Sequence, residues 1–351
     1  MKALVMHKRE ANSLELRNIP IPQIDKNDVL VEVKAAAICG SDIHFWEGRN
    51  AELLNTPVVL GHEFSGIIAK KGKMVEGFAE GDRVVSDNTG YICGHCEYCL
   101  TGQYVYCKER RGLGYGMDGG FAEYVKISAE VLNRYAGCLL KIPNNTSFEE
   151  ASIIEPSCNA YRALFQDAQF LPGATVVIFG PGAIGLFCVQ LAAIGGAGRI
   201  IVVGTYGDER RLETAEELGA DNTVLFDKET EDSILDMNGG DFFDLAIDAA
   251  GPPAVTQSAL RLVRRGGQIV KIGMDPGQYS DSLEPLVTNA VEMKGHFGYD
   301  YTSWKNVLRL LEGGKLDYKK MISNILPLDK WKNGFQNMKE KKAIKVVLSP
   351  S

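Results

Sequence analysis

The sequence has no surplus of positive charge. Its 351 residues carry 38 Lys and Arg against 45 Asp and Glu, a formal net charge of −7. A mildly acidic chain lacks the basic excess that contacts with nucleic-acid phosphates need. Long apolar runs are also missing. The N-terminal stretch Met1-Lys2-Ala3-Leu4-Val5-Met6-His7-Lys8 is too short in its apolar part for a secretory leader. The most apolar helical segment, Ala183 to Ala197, contains Gln190 and several glycines and follows a glycine-rich turn. It reads as a buried core helix, not a membrane span. There are no internal repeats and no low-complexity tracts. With 45% hydrophobic and 24% charged residues, disorder is excluded as the main state. The expectation is a cytoplasmic protein with neither nucleic acid nor membrane as partner.

At roughly 100–200 residues per domain, the length allows two domains, with room for one to interrupt the other. The first third reads as short strands: Ala3–Met6, Val29–Val33, Phe64–Ile68, Arg83–Val85 and Ala122–Val125, punctuated by Gly, Pro, Asn and Asp. Near Ser147 the texture changes to strands alternating with amphipathic helices. Val176–Phe179, Ile200–Val203, Thr223–Phe226, Leu245–Ile247 and Ile269–Ile272 are near-continuous apolar strands. Such strands suit a parallel sheet covered on both faces. Two helical patterns follow from Trp304, and Ile344–Leu348 is a last strand that can return to the first domain.

The first strand of the second half runs into Gly180-Pro181-Gly182-Ala183-Ile184-Gly185. This G-x-G-x-x-G between strand and helix allows a tight turn and close backbone approach to a pyrophosphate at the helix N-terminus. A plain βα turn is the alternative, and the repeated strand–helix alternation favours the dinucleotide reading. The acid expected after the second strand is missing: Gly204 and Thr205 stand there. Arg210 and Arg211 follow, and could meet a 2′-phosphate or be solvated helix residues. Asp208 could supply the acid from a longer loop, or cap the helix starting there. NAD or NADP is expected, with the arginines tilting the reading to NADP.

Four of the eight cysteines lie within fifteen residues: Cys93, Cys96, Cys99 and Cys107. In a cytosolic chain this clustering points to metal before disulfide. Four thiolates close a tetrahedral shell around zinc and leave no open position, which makes the role structural. His95 is a bystander between them. A second set is spread through the sequence: Cys39 in Cys39-Gly40-Ser41-Asp42, His62 and Glu63 in Gly61-His62-Glu63, and Glu155 in Ile154-Glu155-Pro156. Cys, His and Glu are a plausible zinc set, although a lone Cys or His is more often packing than ligand.

These motifs, with Asp118-Gly119-Gly120-Phe121-Ala122-Glu123-Tyr124, resemble the zinc-dependent medium-chain dehydrogenase/reductase family, and within it the polyol (sorbitol-type) dehydrogenases. The resemblance covers nearly the whole chain. It implies an α/β protein: a GroES-like β-barrel catalytic domain over 1–150 completed by 292–351, and an inserted doubly wound Rossmann domain over 151–291. It further implies an active site between the domains and a homodimer or homotetramer, with the last Rossmann strand, about Met293 to Phe297, at the dimer edge. Cys39, His62 and Glu63 would ligate a catalytic zinc, with Glu155 as a fourth ligand or exchanging with water. Asp42 would steady the site, and Ser41 and His44 would relay the proton. The implied reaction is hydride transfer between a secondary alcohol of a polyol, or its phosphate, and NAD(P). Glu63 as ligand favours the polyol or threonine branches. The run Ser157-Cys158-Asn159-Ala160 keeps L-threonine 3-dehydrogenase as an alternative. A non-catalytic binding homologue is the alternative of another class, disfavoured by the intact Cys39, His62, Glu63, Ser41 and His44.

Overall fold

Two burial patterns divide the strands of this chain, and they coincide with two structural units. The computed structural model describes residues 1–226 and 230–350. One unit comprises Met1–Glu155, Asp300–Gly313 and Tyr318–Ser351; the other comprises Pro156–Tyr299 and Gly314–Asp317.

The first unit is built from antiparallel strands. They are β1 (Lys2–Met6), β2 (Leu14–Asn18), β3 (Val29–Ala37), β4 (Val58–Val59), β5 (Glu63–Lys71), β6 (Arg83–Ser86), β7 (Tyr124–Ile127) and β8 (Leu139–Lys141). The order β2-β1-β4 makes a small sheet. A larger sheet centres on β3, which pairs with both β5 and β7; β6 and β8 follow β5 outward. Its core holds Val31, Val33, Ile38, Phe64 and Phe121. The helix Trp331–Lys339 adds Trp331 and Phe335, which meet Trp46 edge-on.

The second unit contains β9 (Thr175–Phe179), β10 (Arg199–Gly204), β11 (Asn222–Leu225), β12 (Phe243–Asp248), β13 (Val263–Lys271) and β14 (Glu292–Gly295). All pair in parallel, in the order β11-β10-β9-β12-β13-β14. This is the order of a doubly wound nucleotide-binding sheet. A helix connects each strand to the next in sequence. Val176, Val177 and Ile178 of β9 are fully buried. Each contributes about 1.5–3 kcal/mol, so the turn leaving β9 hangs from a firmly anchored strand.

The last strands are β15 (Ile322–Pro327) and β16 (Lys345–Ser349). β16 pairs antiparallel with β3 and parallel with β15, so the C-terminal strand joins the first unit's sheet as its sequence suggests. The chain passes between units at 155/156 and returns at 299/300, where the sequence reading has 150/151 and 291/292. The second shift has a clear cause: Glu292–Gly295 hydrogen-bonds to β13 and belongs to the parallel sheet. Val263, directly after the helix Pro253–Leu262, is extended (ψ 142°) and opens β13.

Candidate metal centre and dinucleotide turn

Strand pairing assembles the first site. Ala37, the last residue of β3, lies opposite Glu63, the first of β5. The segment just after β3 and the segment just before β5 therefore meet. Cys39 caps the helix Gly40–Trp46, Glu63 opens β5, and His62 immediately precedes it. Ligand atoms of Cys39, His62 and Glu63 all lie within 4.8 Å of one another, with His62 and Glu63 buried. Gly61 has φ +92°, and a Cβ there would stand 2.6 Å from the Phe121 ring, so the turn into His62 needs glycine.

Asp42 is fully buried and ties this centre together. Its Oδ2 accepts the Cys39 N–H at 2.8 Å, and its Oδ1 faces His62 Nδ1 at 3.6 Å. That gap is longer than a hydrogen bond, and neither atom has a hydrogen-bond partner among the described residues. A carboxylate facing Nδ1 keeps the proton there and frees Nε2 as a donor to a metal. Ser41 Oγ lies 3.5 Å from that Nε2. Burial pushes His62 down, but Asp42 and Cys39 outweigh it and hold the ring well above its usual value. The field that draws a proton onto His62 is the field that draws a cation, so the donor set fits a thiophilic divalent metal such as zinc. Tyr115 packs edge-on against His62 with centroids 6.3 Å apart.

Lys345 is a residue of this centre that sequence reasoning missed. Its Nζ donates to Glu63 Oε1 at 2.6 Å and to Ile38 O at 3.2 Å, and its side chain is 2% exposed. Burial lowers its basicity, yet the charges of Glu63 and Cys39 prevail and raise it above the usual lysine value. The only sequence signal was period-2 placement on one face with buried Val347. Glu155, expected as fourth donor, stands outside the Cys39–His62–Glu63 set among the described residues; its Oε1 accepts from Asn88 Nδ2 at 3.4 Å. His44 is half-buried three residues after Ser41, and burial and Arg49 hold it below its usual value.

The four cysteines of the second cluster also have ligand atoms within 4.8 Å of one another. Cys93 and Cys99 sulfurs are 3.9 Å apart, and Cys96 and Cys99 sulfurs 3.5 Å. Tetrahedral zinc with Zn–S near 2.3 Å sets sulfurs about 3.8 Å apart. All eight cysteines are free thiols. The His95 and Cys96 backbone N–H groups pull the Cys93 thiol down to about 6, while burial pushes Cys99 up to about 12. His95 is exposed, and its Nδ1 lies 2.9 Å from Cys93 O.

In the second unit, Gly180-Pro181-Gly182 leaves the carboxyl end of β9, and Gly182 caps the helix Ala183–Ile194. Gly180 has φ +91°, and a Cβ on Gly185 would fall 2.0 Å from Gly180 O. The glycines thus permit the tight turn and the close helix–strand approach that a pyrophosphate site requires. Thr205 follows directly on β10 and is exposed. Asp208 is buried: its Oδ2 accepts the Thr205 N–H and Oγ1–H, each at 3.1 Å, and its Oδ1 accepts from Arg211 at 3.2 Å. Its carboxylate is turned inward, and Arg211 is drawn in with it. Arg210 is exposed.

Comparison with known proteins gives the same picture. Residues 25–136 match the family "Alcohol dehydrogenase GroES-like domain", and residues 183–313 match "Zinc-binding dehydrogenase". A zinc-type alcohol dehydrogenase-like protein of Escherichia coli (strain K12) is 37% identical over 99% of each chain. An L-threonine 3-dehydrogenase of Bacillus velezensis is 36% identical over 100% of this chain and 99% of its own. A D-arabitol-phosphate dehydrogenase of Enterococcus avium is 33% identical over 94% and 92%. Among solved structures, an alcohol dehydrogenase of E. coli CFT073 complexed with NADH has a TM-score of 0.88 at 28% identity, covering 99% of each chain. A zinc-binding dehydrogenase of Sinorhizobium meliloti 1021 bound to NADP has 0.87 at 28%, with the same coverage. Among the described residues, no helix is long and apolar enough to cross a membrane. With a structural four-cysteine zinc site, a catalytic Cys–His–Glu site and a Rossmann-type sheet, the chain belongs to the zinc-type medium-chain alcohol dehydrogenases, NAD(P)-dependent enzymes that act on CH–OH donors.

Proposed function

We propose that the chain interconverts a secondary alcohol of a polyol, free or phosphorylated, and the corresponding ketone, with NAD(P) as hydride carrier. The observation that carries this reading is the Cys39–His62–Glu63 set, with His62 and Glu63 buried and Ser41 Oγ 3.5 Å from His62 Nε2. Zinc held by these three residues would supply Lewis-acid polarisation of the substrate hydroxyl, and the nicotinamide would accept the hydride. The chain's own groups do the rest. Asp42 orients His62 and fixes Cys39 through its backbone N–H. Ser41 would accept the hydroxyl proton while releasing its own toward His44, which, held toward its neutral form, can take up a proton and pass one to solvent. Glu155 serves as an exchangeable donor. The turn Gly180–Gly185 receives the pyrophosphate. The exposed Thr205 and Arg210, with the Asp208 carboxylate engaged by Thr205 and Arg211, favour NADP over NAD.

Two cations of the first unit bear on substrate class. Lys345 is committed to Glu63, and Arg110 donates to Asn88 Oδ1 at 3.1 Å and to Thr89 O at 3.2 Å. Both cations being engaged favours a neutral group beside the reacting carbon, as in a polyol free or phosphorylated at its far end, over an amino-acid carboxylate there. A second reading, L-threonine oxidation at C3, draws on the 36% identity to an L-threonine 3-dehydrogenase. A homodimer or homotetramer acting in the cytoplasm completes the proposal.

The test is dinucleotide reduction by zinc-loaded protein, with NAD and NADP each offered alongside sugar alcohols, their phosphates, inositols and L-threonine. Polyol turnover abolished by a chelator supports the proposal. Turnover of threonine alone moves it to the second reading. Silence with a single zinc per chain points to a non-catalytic homologue.

A further inference from the structure

Three strand ends of the parallel sheet meet at Phe179, Asp248 and Lys271. Asp248 is in register with Phe179 of β9 on one side and Lys271 of β13 on the other. All three lie at the carboxyl edge, where open α/β sheets bind ligands. Asp248 is fully buried. Its Oδ1 accepts the backbone N–H of Ala250 at 3.2 Å and of Gly251 at 2.8 Å. Its Oδ2 accepts Thr256 Oγ1–H at 2.8 Å and Lys271 Nζ–H at 2.7 Å. Lys271 Nζ also donates to Gly251 O at 2.7 Å. One ion pair therefore grips the loop Ala249–Gly251 by the N–H groups of Ala250 and Gly251 and by the Gly251 carbonyl.

That loop is a wall of the glycine turn. A Cβ on Gly180 would stand 3.0 Å from Ala250, and one on Gly185 would stand 3.6 Å from the Ala249 Cβ. On the other side, a Cβ on Gly273 would fall 2.3 Å from Gly251 N. The loop is wedged between backbones, so a small displacement would narrow or open the space beside the turn.

We propose that Lys271 is a positioning residue for dinucleotide binding. Its ammonium is engaged by Asp248 and Gly251 O, and it acts through the loop: the clamp preforms the wall against which the dinucleotide is received. Without it, Asp248 keeps three donors but loses its counter-charge, Gly251 O loses its cation, and the loop relaxes. Binding then has to reorder the wall, which weakens affinity. The proposal rests on Gly180–Gly185 being the dinucleotide turn.

The test compares zinc-loaded wild type, Lys271→Met and Lys271→Arg by fluorescence titration with NADH and NADPH, steady-state kinetics and amide exchange. Loss of a charge-assisted hydrogen bond predicts a Kd for dinucleotide about tenfold higher in Lys271→Met. Its KM for dinucleotide rises more than kcat falls, exchange at Ala250 and Gly251 accelerates, and Lys271→Arg recovers most of the affinity. A merely structural lysine would lower the melting temperature without this split. A Lys271→Met protein whose Kd stays within about twofold of wild type overturns the proposal. If that variant does not fold, Asp248→Asn with Lys271→Met removes both charges of the pair together and must show the same weakening; unchanged binding overturns the proposal equally. A wild-type chain that binds neither dinucleotide sinks the reading of the turn instead.

Discussion

Replacing Lys345 by Met separates the metal-free and metal-loaded states of the catalytic centre. Lys345 Nζ lies 2.6 Å from Glu63 Oε1, and the two side chains are 2% and 0% exposed. Met preserves the length and most of the volume but leaves the Glu63 carboxylate buried without its counter-charge. Breaking one side of a buried ion pair costs about 3–5 kcal/mol. For units of this size each kcal/mol is worth about 2–4 °C, so the metal-free variant should melt roughly 6–20 °C below wild type. Zinc reverses the balance. A divalent cation beside Cys39, His62 and Glu63 becomes the counter-charge for Glu63, and the wild-type ammonium becomes a like charge next to it. Zinc addition should therefore raise the melting temperature of Lys345→Met by more than it raises that of wild type. Scanning calorimetry of chelator-treated and zinc-reconstituted protein reads both quantities. A metal-free variant that melts with wild type, or an equal zinc-induced rise in the two proteins, would refute the electrostatic account.

Cys107→Ser should reduce bound zinc by one equivalent per chain and lower the melting temperature; elemental analysis and a thermal melt check this, and unchanged zinc would remove Cys107 from the shell. His44 sits below its usual 6.5, first through burial and then through Arg49. Its contribution to stability is therefore complete above pH 6.5 and is lost as pH falls toward the folded value. His44→Gln should flatten that slope in denaturant titrations between pH 7 and 5 and slow proton transfer, by a factor on the order of 10²–10⁴ if His44 carries the relay. Arg210→Ala should raise the KM for NADP about tenfold while changing the KM for NAD less; equal effects would show that Arg210 meets no 2′-phosphate.

Much of this architecture was legible because its signals are local. The parallel strands announce themselves as unbroken apolar runs, since both faces of β9, β10 and β12 are covered. The four-cysteine lobe is readable because its ligands lie within fifteen residues and their spacing alone suits a tetrahedron. The strands that escaped are short or mixed. β4 has two residues, and β2 alternates Leu with exposed charged residues. The catalytic set was readable only as residue types at the ends of apolar runs; what joins Cys39 to His62 and Glu63 is the pairing of Ala37 with Glu63.

The two lysines that sequence reading passed over share one cause. Lys345 and Lys271 each border a short apolar run, Val346–Leu348 and Ile269–Val270, where a lysine normally marks a solvent-facing edge. Each instead reaches a carboxylate on a nearby strand, 282 and 23 residues away in sequence. Lys271 faces Asp248 directly in register, and Lys345 reaches Glu63 past the intervening β3. Register is a property of pairing: a one-residue slip turns every side chain of a strand to the opposite face. Slipping β16 by one would set Ile344 or Val346 against Glu63 and leave that carboxylate buried without a cation. The charge beside the metal centre is thus placed by the register of β16 on β3, and the stability of that register includes the ion pair it creates.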